Sequence, residues 1–282
     1  MGIAHDRLMR KLFAVLLFLA AATASAQSLY QLPDNLARPI SFAPQILIPA
    51  AGSIAGANGT FFRSDIHVIN FGSHSQRVRF QWLPRGVSSV GVGQDLEIDL
   101  PAASGFNSED FVRTVLEEST LGSIVITGIN ADGTDDPTAR LYATSRIWTP
   151  QPGTNGTTSQ TLPVLSMTDV NSSQLWIFGI RRDERYRANV GIVNLSGTTQ
   201  RYAITVVSST PPGSTSVQDV EVNSLSMEQV TINGGAGALQ LVINNITDGP
   251  RSSAWTAYAS SVDNITGDSW SMVGFNSPSI TP

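Results

Sequence analysis

The chain has 282 residues, no cysteine, 14% charged residues and a formal net charge of −5. That length suits one large or two ordinary domains, and the lack of cysteine excludes disulfides and thiol catalysis. Lys11 is the single lysine, and the acidic balance excludes the basic footprint of a nucleic-acid binder.

Residues 1–26 read as a signal peptide. Arg7, Arg10 and Lys11 form a positive start, Leu12 to Ala22 is apolar but too short to span a bilayer, and Ala24-Ser25-Ala26 is a small-residue cleavage site. Removing this leader takes away Arg7, Arg10, Lys11 and Asp6, leaving 14 cations, all arginine, against 21 carboxylates. No later stretch approaches the roughly 20 apolar residues of a membrane helix. The expected product is therefore secreted, periplasmic or held at the cell surface, with no membrane span after cleavage.

Residues 27–45 contain Pro33, Pro39 and Pro44 and show no clear period, which suggests an extended N-terminal arm or first edge strand. Ile46-Leu-Ile48 is a short apolar run, followed by a Gly/Ala/Ser-rich loop from Ala50 to Gly59.

The stretch Phe62 to Leu100 then recurs, 124 positions later and without a gap, as Tyr186 to Ser224. Arg63-Ser-Asp-Ile-His-Val-Ile-Asn70 becomes Arg187-Ala-Asn-Val-Gly-Ile-Val-Asn194, and Gln94-Asp-Leu-Glu-Ile-Asp99 becomes Gln218-Asp-Val-Glu-Val-Asn223. In Arg77 to Trp82 the apolar Val78, Phe80 and Trp82 alternate with Arg77, Arg79 and Gln81; Tyr202, Ile204 and Val206 do the same in the copy. Period two with aromatic and β-branched residues marks half-buried strands. Ser64 to Phe71 is apolar on both parities near its end and is expected to be central. Short polar loops after Asn70 and Asn194 suit hairpins, with each Asn capping turn backbone.

After a third strand (Gln94 to Leu100; Gln218 to Val222) the copies diverge. Ser108 is positioned to cap a short helix bearing Phe111, Val112, Val115 and Leu116 on one face. The second copy has a strand-like Met227-Glu-Gln-Val230 instead. Similarity resumes at Ile124-Val-Ile126 and Leu241-Val-Ile243, and Tyr142-Ala-Thr-Ser145 matches Tyr258-Ala-Ser-Ser261. Gln151 to Thr161 reads as a long loop, and Met167 to Ser173 as connecting chain. The expected fold is all-β: two tandem antiparallel β-sandwiches of immunoglobulin-like size at 46–166 and 175–282, joined by a linker at 167–174, with a short helix in the first.

Six segments, in order, carry a resemblance: Ile48-Pro-Ala-Ala51, Gly59-Thr-Phe-Phe-Arg-Ser-Asp65, Ser145-Arg-Ile147, Gly179-Ile-Arg-Arg-Asp183, Asn189-Val-Gly-Ile-Val-Asn194 and Asp263-Asn-Ile-Thr-Gly-Asp268. With them the chain resembles uncharacterised tandem β-sandwich repeat proteins exported by bacteria. The resemblance implies a sandwich fold and export, and brings no catalytic residues.

Chemistry-bearing residues are sparse. A Ser-His-Asp site would need His67 or His74, and no Gly-x-Ser-x-Gly elbow occurs. Asp65 and His67 share a strand face, but zinc needs three or four ligands. Asn130-Ala-Asp-Gly-Thr-Asp-Asp136 offers oxygens around a glycine, as calcium prefers, yet it reads first as an Asp-Gly turn between strands Gly122–Ile129 and Ala139–Trp148. Asp263 to Asp268 reads as a hairpin loop. Arg181-Arg-Asp-Glu-Arg-Tyr-Arg187 mixes signs and reads as a solvated loop whose ion pairs are worth little. Trp82, Trp148, Trp176, Trp255 and Trp270 could stack on sugars if exposed, though strand tryptophans usually pack cores. Asn58 and Asn155 head Asn-x-Ser/Thr sequences. No residue is assigned a catalytic, cofactor-binding or metal-ligating role, and no cofactor is expected. The expected function is a non-catalytic exported scaffold for adhesion or surface assembly, with an unknown protein or glycan at the cell surface as partner. The alternative is a carbohydrate-binding module using exposed aromatics.

Overall fold

A computed structural model describes residues 42–91, 95–151, 153–170, 172–208 and 213–276. The expected signal peptide and nearly all of the expected N-terminal arm lie outside the described residues. The described residues form one compact unit.

In the first half the strands are β1 (Gln45–Gly52), β2 (Ile54–Ala55), β3 (Phe61–Asn70), β4 (Gln76–Pro84), β5 (Asp95–Leu100), β6 (Ser104–Ser108), β7 (Leu121–Ile129), β8 (Leu141–Pro150), β9 (Thr157–Thr161) and β10 (Leu165–Ser166), with helix α1 (Phe111–Thr114) before β7. In the second they are β11 (Gln174–Arg182), β12 (Tyr186–Asn194), β13 (Gln200–Ser208), β14 (Ser214–Val222), β15 (Ser226–Thr231), β16 (Gly237–Asn245), β17 (Trp255–Asp263), β18 (Ser269–Val273) and β19 (Phe275–Asn276).

All ladders between these strands are antiparallel, and the two halves repeat one strand order. The first half has a sheet β10-β1-β7-β4-β5 and a sheet in which β3 and β8 are flanked by β2, β6 and β9; the second half has β14-β13-β16-β11-β19 and β15-β12-β17-β18. Even the irregularities recur. The β1–β7 register shifts between Ile48 and Ala51, and the β11–β16 register shifts at the matching place, between Ile177 and Ile180. The bulge residues are Pro49-Ala50 in one half and Phe178-Gly179 in the other. Gly179 has φ +77°, which suits glycine.

Each half is a sandwich with its own core. In the first, Ile46, Ile48, Val78, Phe80, Trp82, Ile124 and Ile126 face Ile66, Val68, Leu141 and Ala143. In the second, Leu175, Ile177, Tyr202, Ile204, Val206, Leu241 and Ile243 face Val190, Ile192, Trp255, Ala257 and Ala259. The apolar stripes on β4 and β13 therefore both point inward, as their period-two patterns predict.

A third apolar cluster joins the halves. Leu47, Leu83, Leu121 and Val125, on the back of the β1–β7–β4 sheet, meet Val193, Met227 and Tyr258 on the back of the β12–β17 sheet. Four sheets are thus stacked, and the central strands of the inner two are covered on both faces. All nine residues of β7 are buried, as are all nine of β17. Period-two alternation fails in such strands because neither face meets water.

Several expectations need correction. Ser108 does not cap the helix: it is the last residue of β6, and the cap position is Asp110 in the left-handed region (φ 46°). The helix is a single turn, with Phe111 and Val112 buried. Residues 157–161, expected as loop, form β9 on the edge of β8. The connecting stretch begins with a 3-10 turn at Met167–Asp169, preceded by β10, which pairs with β1. The match of Tyr142 to Tyr258 is two residues out of register: Val68 pairs with Ala143, and its counterpart Ile192 pairs with Ala257. Tyr142 corresponds structurally to Thr256. A shift of two keeps side chains on the same face, so sequence patterning cannot detect it.

Candidate functional site

The candidate residues named from the sequence mostly carry structural duties. Asp65 is buried. Its Oδ1 accepts from Trp148 Nε1 at 2.8 Å and from the Asp110 backbone N–H at 3.2 Å, and its carboxylate lies 3.5 Å from Arg146. His67, on the same strand, is exposed. In the Asn130–Asp136 turn, Asp132 Oδ1 accepts from the Thr134 N–H at 3.0 Å and hydroxyl at 2.6 Å, which holds that carboxyl below its ordinary range. Asp136 is held the same way by Thr138. Among the described residues no group of three potential metal ligands forms. No helix there is long and apolar enough to cross a membrane.

The tryptophans divide. Trp82 and Trp255 are core residues, 2% and 0% exposed. Trp148 lies under Arg63 and Arg146, with guanidinium carbons 5.2 and 5.7 Å from its ring centre. Trp270 donates to Gly179 O at 2.7 Å and meets Tyr186 edge-on. Trp176 begins a surface row. Its ring lies 6.1 Å from Phe178 at an interplanar angle of 24°, and Phe178 lies 5.6 Å from Phe275 at 31°. Phe178 and Phe275 are 41% and 46% exposed. Trp176 Nε1 donates to Gln174 Oε1, and Gln174 Nε2 to Asn244 Oδ1, both at 2.8 Å, so a polar strip flanks the rings.

This row sits where the first half is buried. Leu47 faces Val125 across β1 and β7, and Trp176 faces Val242 across β11 and β16, at the same place in the repeat. Leu47 and Val125 are 0% and 4% exposed beneath the second half. The corresponding face of the second half has nothing over it among the described residues.

A second site lies between the halves: a cavity of about 270 Å³. Ala50, Ile54, Phe62, Leu121 and Ile147 wall it from the first half, and Tyr258, Val262, Asn189, Gln229 and Arg187 from the second. Strand alternation places Arg187, Asn189, Gly191 and Val193 on the face of β12 opposite its core residues. Gly191 is open because a Cβ there would stand 2.1 Å from the Tyr258 ring, which lies across it. The Tyr258 hydroxyl donates to Gln229 Oε1 at 2.7 Å, and burial pushes its pKa up. The Thr231 hydroxyl reaches Asn189 Oδ1 at 3.1 Å.

The Arg181–Arg187 segment is only partly the solvated loop expected. Arg181 pairs with Asp183 at 2.6 Å and Arg185 with Asp263 at 2.8 Å. Arg187 instead belongs to β12 and is half-buried. It donates to Asn264 Oδ1 at 3.0 Å and has no carboxylate partner among the described residues. Desolvation lowers its pKa from the usual arginine value. Sequence reading missed it because a cation in a charge-rich segment looks solvated until the partner sheet is in place.

No protein-family model matches the chain, and no curated relative does. Among solved structures it is similar to one titled "Crystal Structure of Thermotoga maritima 1070", at 10% identity, over 38% of this chain and 96% of that one, with a TM-score of 0.31. That likeness is too slight to bear on fold or function.

Proposed function

We propose that this chain is an exported, non-catalytic interaction protein, a rigid scaffold for surface assembly that works by surface complementarity. The observation that carries the reading is the Trp176–Phe178–Phe275 face. It repeats the position of a face that the first half uses as an interface, yet it is exposed and aromatic. Exposed apolar patches rimmed by polar groups mark interaction sites, and aromatic side chains dominate the energetics of such contacts. Trp176 and Phe178 project from β11, which is paired by β16 on one edge and by β19 on the other, so little backbone ordering opposes binding.

The test is retention of the purified chain on envelope fractions of the exporting cell. Retention is expected, with at least a tenfold loss in the Phe178→Ser/Phe275→Ser double variant at unchanged circular dichroism. Equal retention of the two proteins would overturn the reading. A second reading, recognition of a polysaccharide, is favoured by the polar strip of Gln174 and Asn244 beside the rings, because sugars need a stacking surface and hydrogen-bonding groups together. Co-sedimentation with insoluble polysaccharides, lost in a Trp176→Ala variant, would select it over a protein partner.

A further inference from the structure

The cavity between the halves combines an apolar chamber, a cation without a counter-ion and a history that explains both. We propose that it binds a small organic acid, its apolar body against Ile54, Phe62, Leu121 and Ile147 and its carboxylate on Arg187. Small-molecule sites are concave and mostly apolar, with a few convergent polar groups. At about 270 Å³ this chamber holds a compact ligand. No acidic side chain lines it, whereas Arg187, Arg85, Asn189 and Gln229 do. Arg85 is already paired with Glu228. Arg187 is not paired, and a half-buried cation facing apolar walls calls for an anion.

The duplicated first half shows what the site has lost. Arg63 stands at the position of Arg187, and there Asp110, at the start of the helical turn, lies 3.5 Å from its guanidinium. The second half lacks that turn. The other nearby carboxylate, Asp65, is replaced by Asn189. In the first half Asp65 pairs with Arg146, and the second half replaces both, by Asn189 and Ser260; Asp110, the acid that faces the retained arginine, has no counterpart, so Arg187 is left without a carboxylate among the described residues. Arg187 and Asn189 lie two residues apart on one strand face, so their Cβ atoms are about 7 Å apart. A planar guanidinium binds a carboxylate through two parallel hydrogen bonds. The exposed residues Ala55, Ala57 and Thr231 form the rim of the chamber, which gives a ligand a way in.

Calorimetric titration of the purified chain with benzoate and with octanoate, beside the neutral benzamide, tests the proposal. At least one carboxylate is expected to bind with saturation and to raise the melting temperature, with benzamide at least tenfold weaker. Arg187→Gln is expected to lose at least tenfold in affinity. Asn189→Asp, which restores the acid of the first half, is expected to abolish binding while the protein stays folded. It serves as the second variant should Arg187→Gln fail to fold. The proposal is overturned if neither carboxylate binds the wild type, if benzamide binds as well as benzoate, or if Asn189→Asp binds like the wild type.

Discussion

Asn70 and Asn194 are each almost fully buried, and each closes a turn in the same way. Asn70 Nδ2 donates to His74 O, Leu100 O and Pro101 O, and its Oδ1 accepts from the Gly72 N–H at 2.8 Å. Asn194 repeats the set with Thr198 O, Val222 O, Asn223 O and the Ser196 N–H. Removing such a side chain strands buried carbonyls, at about 1–3 kcal/mol for each one left unmet. Asn194→Ala is therefore expected to lower stability by roughly 2–4 kcal/mol in urea denaturation. This role was legible in the sequence, because Asn before a polar loop recurs at the same spacing and has few other uses. Gly191 was not legible. Its counterpart is His67, and only the Tyr258 ring lying across it explains the difference. Gly191→Ala should cost about 1–3 kcal/mol by overpacking. The cost should largely vanish in a Tyr258→Ala background, which a double-mutant cycle measures.

At the scale of elements, paired strands were readable and their surroundings were not. β3, β4, β12 and β13 follow from alternation. The extent of the helix, β9 and the register of β17 depend on neighbours distant in sequence. The single turn of α1 matters through Phe111, which is fully buried and lies 5.3 Å from Phe80 and 6.0 Å from Phe106. Phe111→Ala should cost about 3–5 kcal/mol, and a loss below 1 kcal/mol would show the turn to be peripheral. The β17–β18 hairpin carries an acid-sensitive lock. Asp263 Oδ1 accepts from the Ile265 and Thr266 N–H groups, and its other oxygen meets Arg185. The Ile265 N–H first, then Arg185 and the Thr266 N–H, depress its pKa against the opposing effect of desolvation. A depressed carboxylate stabilises the fold above its unfolded pKa of about 3.9 and loses that contribution as pH falls through the folded value. Melting temperature should therefore drop more steeply below about pH 4 in the wild type than in Asp263→Asn. Parallel curves would remove Asp263 from the acid limb.

For the whole molecule, the duplication was visible in the residues, but the way the copies pack was not. Ile46-Leu-Ile48 and Ile124-Val-Ile126 are apolar on both parities because both faces are covered. Leu175-Trp-Ile177 and Leu241-Val-Ile243 have the same pattern with one face open, so pattern alone cannot say which copy is sheathed. The cavity was invisible for the same reason, since its two walls come from the two different copies. The buried seam should make the halves unfold together. Fluorescence of Trp82 and Trp255 and far-ultraviolet circular dichroism are expected to report one coincident transition. Leu83→Asp places a charge in the seam and should separate that transition into two, with a loss of at least about 3 kcal/mol.

The seam joins unlike surfaces: the back of the β1–β7–β4 sheet in one copy meets the back of the β12–β17 sheet in the other. Such a head-to-tail contact is not self-complementary and, repeated from chain to chain without closing into a ring, would grow a fibre. The growing end would be the Trp176 face, and its acceptor would be the free face of β3 and β8. There the first half carries Arg63, Asp65, His67 and Arg146 where the second has Arg187, Asn189, Gly191 and Ser260. Charge and bulk stand there in place of the hollow that receives a neighbour in the second copy, which disfavours continuing the stack through that face.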